Sequence, residues 1–127
     1  MEKRVKTGVV GLDQILNGGI INGRSILLSG PCGSGKSILA MQYIYNGVVK
    51  FNEPGLYVSF EEEKEHIIEN MIPLGLDLKR LEKTKKFILI GGTLGNLTGF
   101  MERVGAEIDH VIEEIEEVIR KNGIKRV

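Results

Sequence analysis

This chain of 127 residues has one cysteine, no excess of either charge and no long apolar run. A single cysteine, Cys32, cannot form an internal disulfide, which is typical of proteins in a reducing compartment. Lys plus Arg and Asp plus Glu both number 17, so no global field attracts nucleic acid or an acidic membrane. The longest apolar runs are too short to span a bilayer, and no apolar segment follows the charged residues 1–6 as it would in a secretory signal. We therefore expect a cytoplasmic domain with no membrane segment and no indicated nucleic-acid partner.

Short apolar runs alternate along the chain with segments of helical period. The runs predict strands at 25–30, 56–60 and 86–92, with the first of them buried. The helical periods predict helices at 36–51, 64–75 and 100–121. Residues 124–127 look like the beginning of another strand. Alternation of strands with helices predicts an α/β fold of three layers built on a parallel sheet.

A glycine-rich segment, G-P-C-G-S-G-K-S at Gly30–Ser37, matches the phosphate-loop pattern G-x-x-x-x-G-K-[ST] at every fixed position. Phosphates need many backbone N–H donors at close range, and glycines permit that approach together with a tight turn. The helix predicted behind the loop adds its N-terminal N–H groups and its dipole. Lys36 is expected to reach the β- and γ-phosphates, and the Ser37 hydroxyl to ligate Mg²⁺. The residues expected to bind the nucleotide are Gly30, Pro31, Cys32, Gly33, Ser34, Gly35, Lys36, Ser37 and Ile38.

Two glutamates, Glu61 and Glu62, directly follow the second predicted strand. Ligands of open α/β sheets bind at the carboxyl ends of the strands. A carboxylate there can accept a hydrogen bond from a water directed at the terminal phosphate, which is the positioning role that hydrolysis needs. The alternative is that these acids open a solvated helix, whose first turn favours negative charge. The residues alone leave both interpretations open.

These features and their surroundings resemble the KaiC-like ATPases of the RecA superfamily. The opening T-G-x-x-G-L-D with its Gly-rich turn, at 7–23, precedes the phosphate-loop strand as it does in that family. The segment E-P-G-L-Y-V-S-F-E-E-E at 53–63 is similar to the family's second strand with its paired catalytic glutamates. The segment at 74–90 is similar to the family's linker, G-x-D-L and a basic stretch before a further strand. The resemblance covers nearly the whole chain.

The resemblance implies an ATP-binding P-loop domain that uses ATP and Mg²⁺. It also implies a homo-oligomer, in this family often a hexameric ring with nucleotide between the subunits. Lys36, Glu61 and Glu62 would then be catalytic, because Glu61 and Glu62 would orient the attacking water. Lys36 and Mg²⁺ would stabilise the charge that develops on the transferring phosphoryl group.

The sequence departs from the family after its long helix. There the family has a Walker B strand ending in an Asp that holds Mg²⁺ through water, whereas no Asp or Glu follows Glu117 here. Residues 1–127 are therefore interpreted as one N-terminal part of a KaiC/RecA-like ATPase domain, with an incomplete sheet and inefficient hydrolysis on its own. Self-association or a partner strand is expected to complete that sheet. The alternatives are a non-catalytic, nucleotide-responsive assembly module and a DNA-dependent ATPase of RecA type.

The remaining candidate residues predict no second site. His66 and His110 are isolated, with no Cys or His at ligand spacing, so we expect no protein-held metal cluster. Cys32 is interpreted as a passive loop residue. The three tyrosines are interpreted as core residues, because nothing in their spacing favours stacking on a base.

Overall fold

The computed structural model describes residues 3–92 and 107–127 of the chain. Its strands are β1 Arg4–Val5, β2 Ile20–Ile21, β3 Gly55–Ser59 and β4 Phe87–Gly91. Its helices are α1 Leu12–Ile15, α2 Lys36–Phe51, α3 Lys64–Met71, α4 Leu78–Lys83 and α5 Glu107–Asn122, with a 3-10 turn at Ile72–Leu74 after α3. Within these residues, no helix has the length and apolar character needed to cross a membrane.

The central sheet is parallel, as the alternation of strands and helices predicts. Strand β3 pairs with β4 in a register that runs from Gly55 opposite Phe87 to Ser59 opposite Gly91. On its other edge β3 makes one parallel bridge, between Gly55 and Arg126, and the Leu56 amide donates to the Arg126 carbonyl at 2.8 Å. A further strand is expected to begin at 124–127, and the structure shows one bridge of such a strand, at Arg126.

The two faces of the β3–β4 sheet are covered by different helices. On one face, alternate residues such as Tyr57 and Leu89 pack against the buried sides of α2, α3 and α4. Met41 and Leu78 are fully buried in this core. The opposite face, with Val58 and Ile90, borders a groove of about 540 Å³ whose other wall is α5. Helices on both faces of a parallel sheet give the predicted α/β arrangement.

Asp13 organises the first segment of the chain, and two side chains of α2 bind the turn that it organises. Its carboxylate accepts from the Thr7 amide at 2.8 Å, the Thr7 hydroxyl at 2.7 Å and the Gly8 amide at 3.1 Å. From α2, Asn46 donates to the Thr7 carbonyl at 3.1 Å and Lys50 to the Gly8 carbonyl at 3.0 Å. The T-G-x-x-G-L-D pattern therefore has a physical role here, because its Asp satisfies the amides of its Thr and Gly.

The last segment of the chain is held against α2 by Arg126, which is only 1% exposed. Its guanidinium donates to the Tyr43 carbonyl at 3.0 Å and to Glu53 Oε1 at 3.2 Å. The same group lies over the rings of Tyr43 at 4.7 Å and Phe51 at 5.2 Å. Gly47 leaves the space for this side chain, since a Cβ there would collide with Arg126 Cδ. The arginine thus ties the bridge-forming last residues to α2 and to the segment that follows it.

The prediction of a buried strand at 25–30 is wrong. These residues belong to no helix or strand, and Ile26 and Leu27 are 62% and 92% exposed. An apolar run becomes a buried strand only where a neighbour pairs with its backbone, and no strand within 3–92 and 107–127 does so. The exposure agrees with the expectation of unpaired apolar surface around this sheet.

The other predicted elements are present with shifted bounds. The strand predicted at 56–60 is β3, which ends one residue earlier, and the strand predicted at 86–92 is β4. The helix predicted at 64–75 is α3 followed by the 3-10 turn, because Pro73 has no N–H to continue the helical ladder. Of the helix predicted at 100–121, residues 100–106 lie outside the described residues, and the rest is α5. Helix α4 was not predicted.

Candidate phosphate-binding site

The segment Gly30–Ser37 forms an exposed loop that leads directly into α2, which begins at Lys36. Gly33 and Gly35 adopt left-handed backbone angles, with φ of 81° and 93°, where a side chain would be strained. Gly35 is the residue before the first helical turn. Its carbonyl accepts the first hydrogen bond of the helix, from the Leu39 amide at 2.9 Å. The amides of the first turn therefore precede the helical ladder and point their N–H groups out of the helix end. Such a loop fits an anionic ligand.

Lys36 is folded over the loop that it follows. Its ammonium donates to the Gly30 carbonyl at 2.5 Å and to the Pro31 carbonyl at 3.1 Å. The positive charge therefore lies beside the glycine-rich turn, close to where its backbone N–H donors would hold a phosphate group. Among the other predicted binding residues, Cys32 and Ser34 are exposed on the loop and Ile38 is 37% exposed in the first turn of α2.

Tyr57 connects the loop to the neighbouring strand. Its half-buried side chain lies close enough to Ser37 and to the negative charge of Glu62 for both residues to influence its pKa. Burial raises the pKa of Tyr57, the Ser37 hydrogen bond lowers it and the Glu62 charge raises it, with a net value above the ordinary one. Tyr57 therefore lies in the neighbourhood of both Ser37, which is the predicted Mg²⁺ ligand, and Glu62, which is a predicted catalytic acid. The core interpretation of Tyr57 missed this polar link.

Glu61 and Glu62 lie in a turn between β3 and α3, which we call the glutamate turn and define as residues 60–63. Both side chains are exposed, and the Glu62 amide donates to Ser59 Oγ at 3.1 Å. Glu63 is the residue that precedes α3, and its side chain makes no capping hydrogen bond. The two glutamates therefore lie outside the helix, so a helix-opening role describes Glu65 in the first turn of α3 and not Glu61 or Glu62.

The chemistry of this site fits a nucleotide with Mg²⁺. The loop offers backbone donors and one ammonium group for phosphates, the Ser37 hydroxyl is an oxygen ligand of the kind that Mg²⁺ prefers, and the glutamate turn supplies carboxylates. No group of three or more His, Cys, Asp or Glu residues in the described part of the chain could hold a metal by itself.

Comparison with known proteins identifies the family. The sequence model of the ATPase family described as "ATPase: KaiC" matches residues 5–127. The chain belongs to the KaiC ATPase family. A UPF0273 protein of Methanocaldococcus jannaschii is 50% identical over 88 residues, which are 69% of this chain and 36% of that protein. The circadian clock oscillator protein KaiC of Parathermosynechococcus lividus is 40% identical over 123 residues, which are 96% of this chain and 22% of that protein.

A solved structure agrees with this assignment. The crystal structure of a KaiC-like protein from Pyrococcus horikoshii superimposes with a TM-score of 0.85 at 29% identity, covering 99% of this KaiC-family chain and 52% of that one. A UPF0273 protein of Thermotoga maritima is 38% identical over 133 residues, with 100% of this chain and 54% of that protein aligned. The chain therefore has the fold of a KaiC-like member of the RecA superfamily, and it spans about half or less of these relatives.

Proposed function

We propose that this chain binds Mg·ATP at the loop Gly30–Ser37 and contributes to ATP hydrolysis in a KaiC-like ATPase. The observation that supports the proposal most strongly is the shape of the loop, in which left-handed Gly33 and Gly35 lead into α2 and Lys36 Nζ lies 2.5 Å from the Gly30 carbonyl. Ser37 and Glu62 both lie close enough to Tyr57 to influence its pKa. A phosphate-binding loop, a metal-ligating hydroxyl and a carboxylate are the parts that phosphoryl transfer to water requires.

Each group has a distinct part in this proposal. The backbone amides of the loop and the Lys36 ammonium would bind the phosphates, and Lys36 would stabilise the charge that develops in the transition state. The Ser37 hydroxyl would ligate Mg²⁺, which neutralises phosphate charge when bound. Glu61 and Glu62, whose side chains are exposed in the glutamate turn, would accept hydrogen bonds from the attacking water and orient it. Tyr57 would restrain the Ser37 hydroxyl from the sheet side.

The substitution Glu62→Gln tests this assignment, because it removes the charge of the side chain and keeps its shape. The measurement is the rate of ATP turnover. We expect Mg²⁺-dependent phosphate release to fall about 10²–10⁴-fold, the range for loss of a positioned acid–base group. ATP affinity should change by no more than about twofold, as for a substitution at an exposed position. The matched control is Glu65→Gln, which alters an exposed glutamate in the first turn of α3 and should leave both quantities unchanged.

The same experiment separates catalysis from binding without turnover. If the wild-type chain binds Mg·ATP and releases no phosphate with or without Glu62, the non-catalytic nucleotide-responsive module is the better description. If Glu62→Gln hydrolyses ATP at the wild-type rate, the catalytic role of Glu62 is wrong.

A further inference from the structure

Gly91, the last residue of β4, lies close to the backbone where the glutamate turn leads into α3 at Lys64. A Cβ at this position would be 2.7 Å from Lys64 N, 3.0 Å from Lys64 Cα and 3.1 Å from the Glu62 carbonyl oxygen. Its φ is not in the left-handed region, so alanine would meet no backbone strain there. The need for glycine comes instead from the approach of β4 to the turn. The atoms it would strike are backbone atoms, which cannot rotate away as a flexible side chain can.

The glutamate turn is held by further contacts from neighbouring elements. On β3, Ser59 pairs in register with Gly91 and accepts the Glu62 amide at 3.1 Å through its hydroxyl. On α4, Glu82 pairs with Lys64 at 2.8 Å, although both side chains are partly exposed and such an ion pair contributes little. The ends of the two paired strands therefore enclose the backbone that carries the two glutamates. At Gly91 these elements leave no room for even one added carbon atom.

We propose that Gly91 is a positioning residue for the glutamate turn. Because Gly91 has no side chain, β4 can pack against the backbone of Glu62 and Lys64. This packing fixes the positions of Glu61 and Glu62. The catalytic consequence rests on the function proposed above, whereas the positioning itself is a property of this fold. An added methyl group must move the Lys64 amide by roughly 0.8 Å to reach ordinary van der Waals separation, about 3.5 Å. Misplacement of about 1 Å at a reacting centre can cost about 10²-fold in rate.

The chain provides a matched control at the adjacent glycine. Among residues 3–92 and 107–127, no atom lies within 4 Å of a Cβ built on Gly92, and its φ is likewise outside the left-handed region. Gly91→Ala and Gly92→Ala make the same chemical change one residue apart, and only the first meets the turn. Ser59→Ala is a second probe, because it removes the acceptor of the Glu62 amide without adding volume.

Two measurements on the whole chain test the proposal. Amide hydrogen exchange reports the turn directly, and we expect the Glu62 amide to exchange about tenfold faster in Gly91→Ala, because the displaced turn loses its bond to Ser59. Single-turnover hydrolysis and equilibrium binding report the consequence, and we expect the rate to fall about 10²-fold while the ATP dissociation constant changes by no more than about twofold. Gly92→Ala should match the wild type in every measurement.

Each contrary result has a defined meaning. Unchanged exchange at Glu62 in Gly91→Ala overturns the proposal, as does an equal change in Gly92→Ala. A joint loss of melting temperature, ATP affinity and rate indicates general destabilisation and also overturns it. Faster exchange with an unchanged rate shows that the turn is held by Gly91 but that its position does not matter for hydrolysis, so the catalytic part is wrong. A wild-type chain that binds no ATP refutes the proposed function, and the exchange measurement still decides the role of Gly91.

Discussion

Replacing Asp13 by alanine tests how the first segment of the chain is held against α2. The change removes one carboxylate that accepts three hydrogen bonds, from the Thr7 amide, the Thr7 hydroxyl and the Gly8 amide. Thr7 is only 2% exposed, so water cannot readily replace the lost acceptor for its donors. We expect the variant to unfold at a lower denaturant concentration than the wild type, because Thr7 and Gly8, whose carbonyls accept hydrogen bonds from α2, lose the group that orders them.

The magnitude follows from the number of bonds and the exposure of the acceptor. Hydrogen bonds to a charged group contribute about 1.5–3 kcal/mol each, so three would give about 5–9 kcal/mol if Asp13 were fully buried. Asp13 is only partly buried, and water replaces some of this, so we expect about 2–4 kcal/mol. Asp13→Asn keeps an oxygen for Thr7 but brings an amide group towards the Gly8 N–H, and it should lose about 1–2 kcal/mol.

The same contacts predict the sign of the pH dependence. Partial burial raises the pKa of Asp13, but hydrogen bonds from Thr7 and Gly8 and the charge of Lys6 outweigh it, so the pKa lies below the ordinary value. The folded state therefore binds this proton more weakly than the unfolded state. The stabilisation is complete above the unfolded pKa, about 3.9, and is lost as the pH falls through the lower pKa of the folded state.

Chemical denaturation followed by circular dichroism, repeated between pH 7 and pH 2.5, measures both effects. The difference in unfolding free energy between wild type and Asp13→Asn should shrink below about pH 4. A difference that stays constant to pH 2.5, or a cost of Asp13→Ala below about 0.5 kcal/mol, the range for an ordinary surface substitution, would refute the reasoning.

Two further predictions concern the C-terminal anchor and the exposed apolar run. Gly47→Ala should cost about 1–3 kcal/mol by overpacking, because its methyl group occupies the space of the Arg126 side chain. The double variant with Arg126→Ala should lose less than the sum of the two single changes in a denaturation cycle, and strict additivity would contradict the packing argument. We also expect the wild-type chain to sediment above its 14.1 kDa monomer mass and Leu27→Glu to reduce that association, since Leu27 is 92% exposed beside Ile26. A monodisperse wild-type monomer that melts cooperatively would contradict this expectation.

The elements that the sequence predicts well are those specified by local chemistry. Helix α2 follows from the fixed glycines of the loop and the apolar period behind it, and β3 and β4 follow from their β-branched and aromatic residues. The run at 25–30 is also apolar but has no partner strand within the described residues, so an apolar run alone predicts the wrong state there. The short helix α4 depends on Asp77, whose carboxylate accepts the Arg80 amide at 3.2 Å, and a six-residue helix has little periodic signal.

The candidate residues of the site are visible in the sequence, but the residues around them are not. The loop motif and the paired glutamates form local patterns, and a position at the carboxyl end of β3 favours Glu61 and Glu62 as ligand-side residues. Tyr57 gives no signal beyond that of a core residue, because its nearness to Ser37 joins positions twenty apart in sequence. Gly91 is likewise one of 17 glycines, and only its close approach to Lys64 distinguishes it. Contacts between distant segments carry no local pattern.

Equilibrium binding of Mg·ATP tests the central claim most directly, by titration calorimetry on the wild type, Lys36→Ala and Lys79→Ala. Lys79 is an exposed lysine on α4 and serves as the charge-matched control. We expect the wild type and Lys79→Ala to bind with the same affinity, and Lys36→Ala to bind about 10–100-fold more weakly, as for loss of one charge-assisted contact. Equal affinities for all three proteins, or no binding by the wild type, would contradict the claim that the loop Gly30–Ser37 is an ATP site.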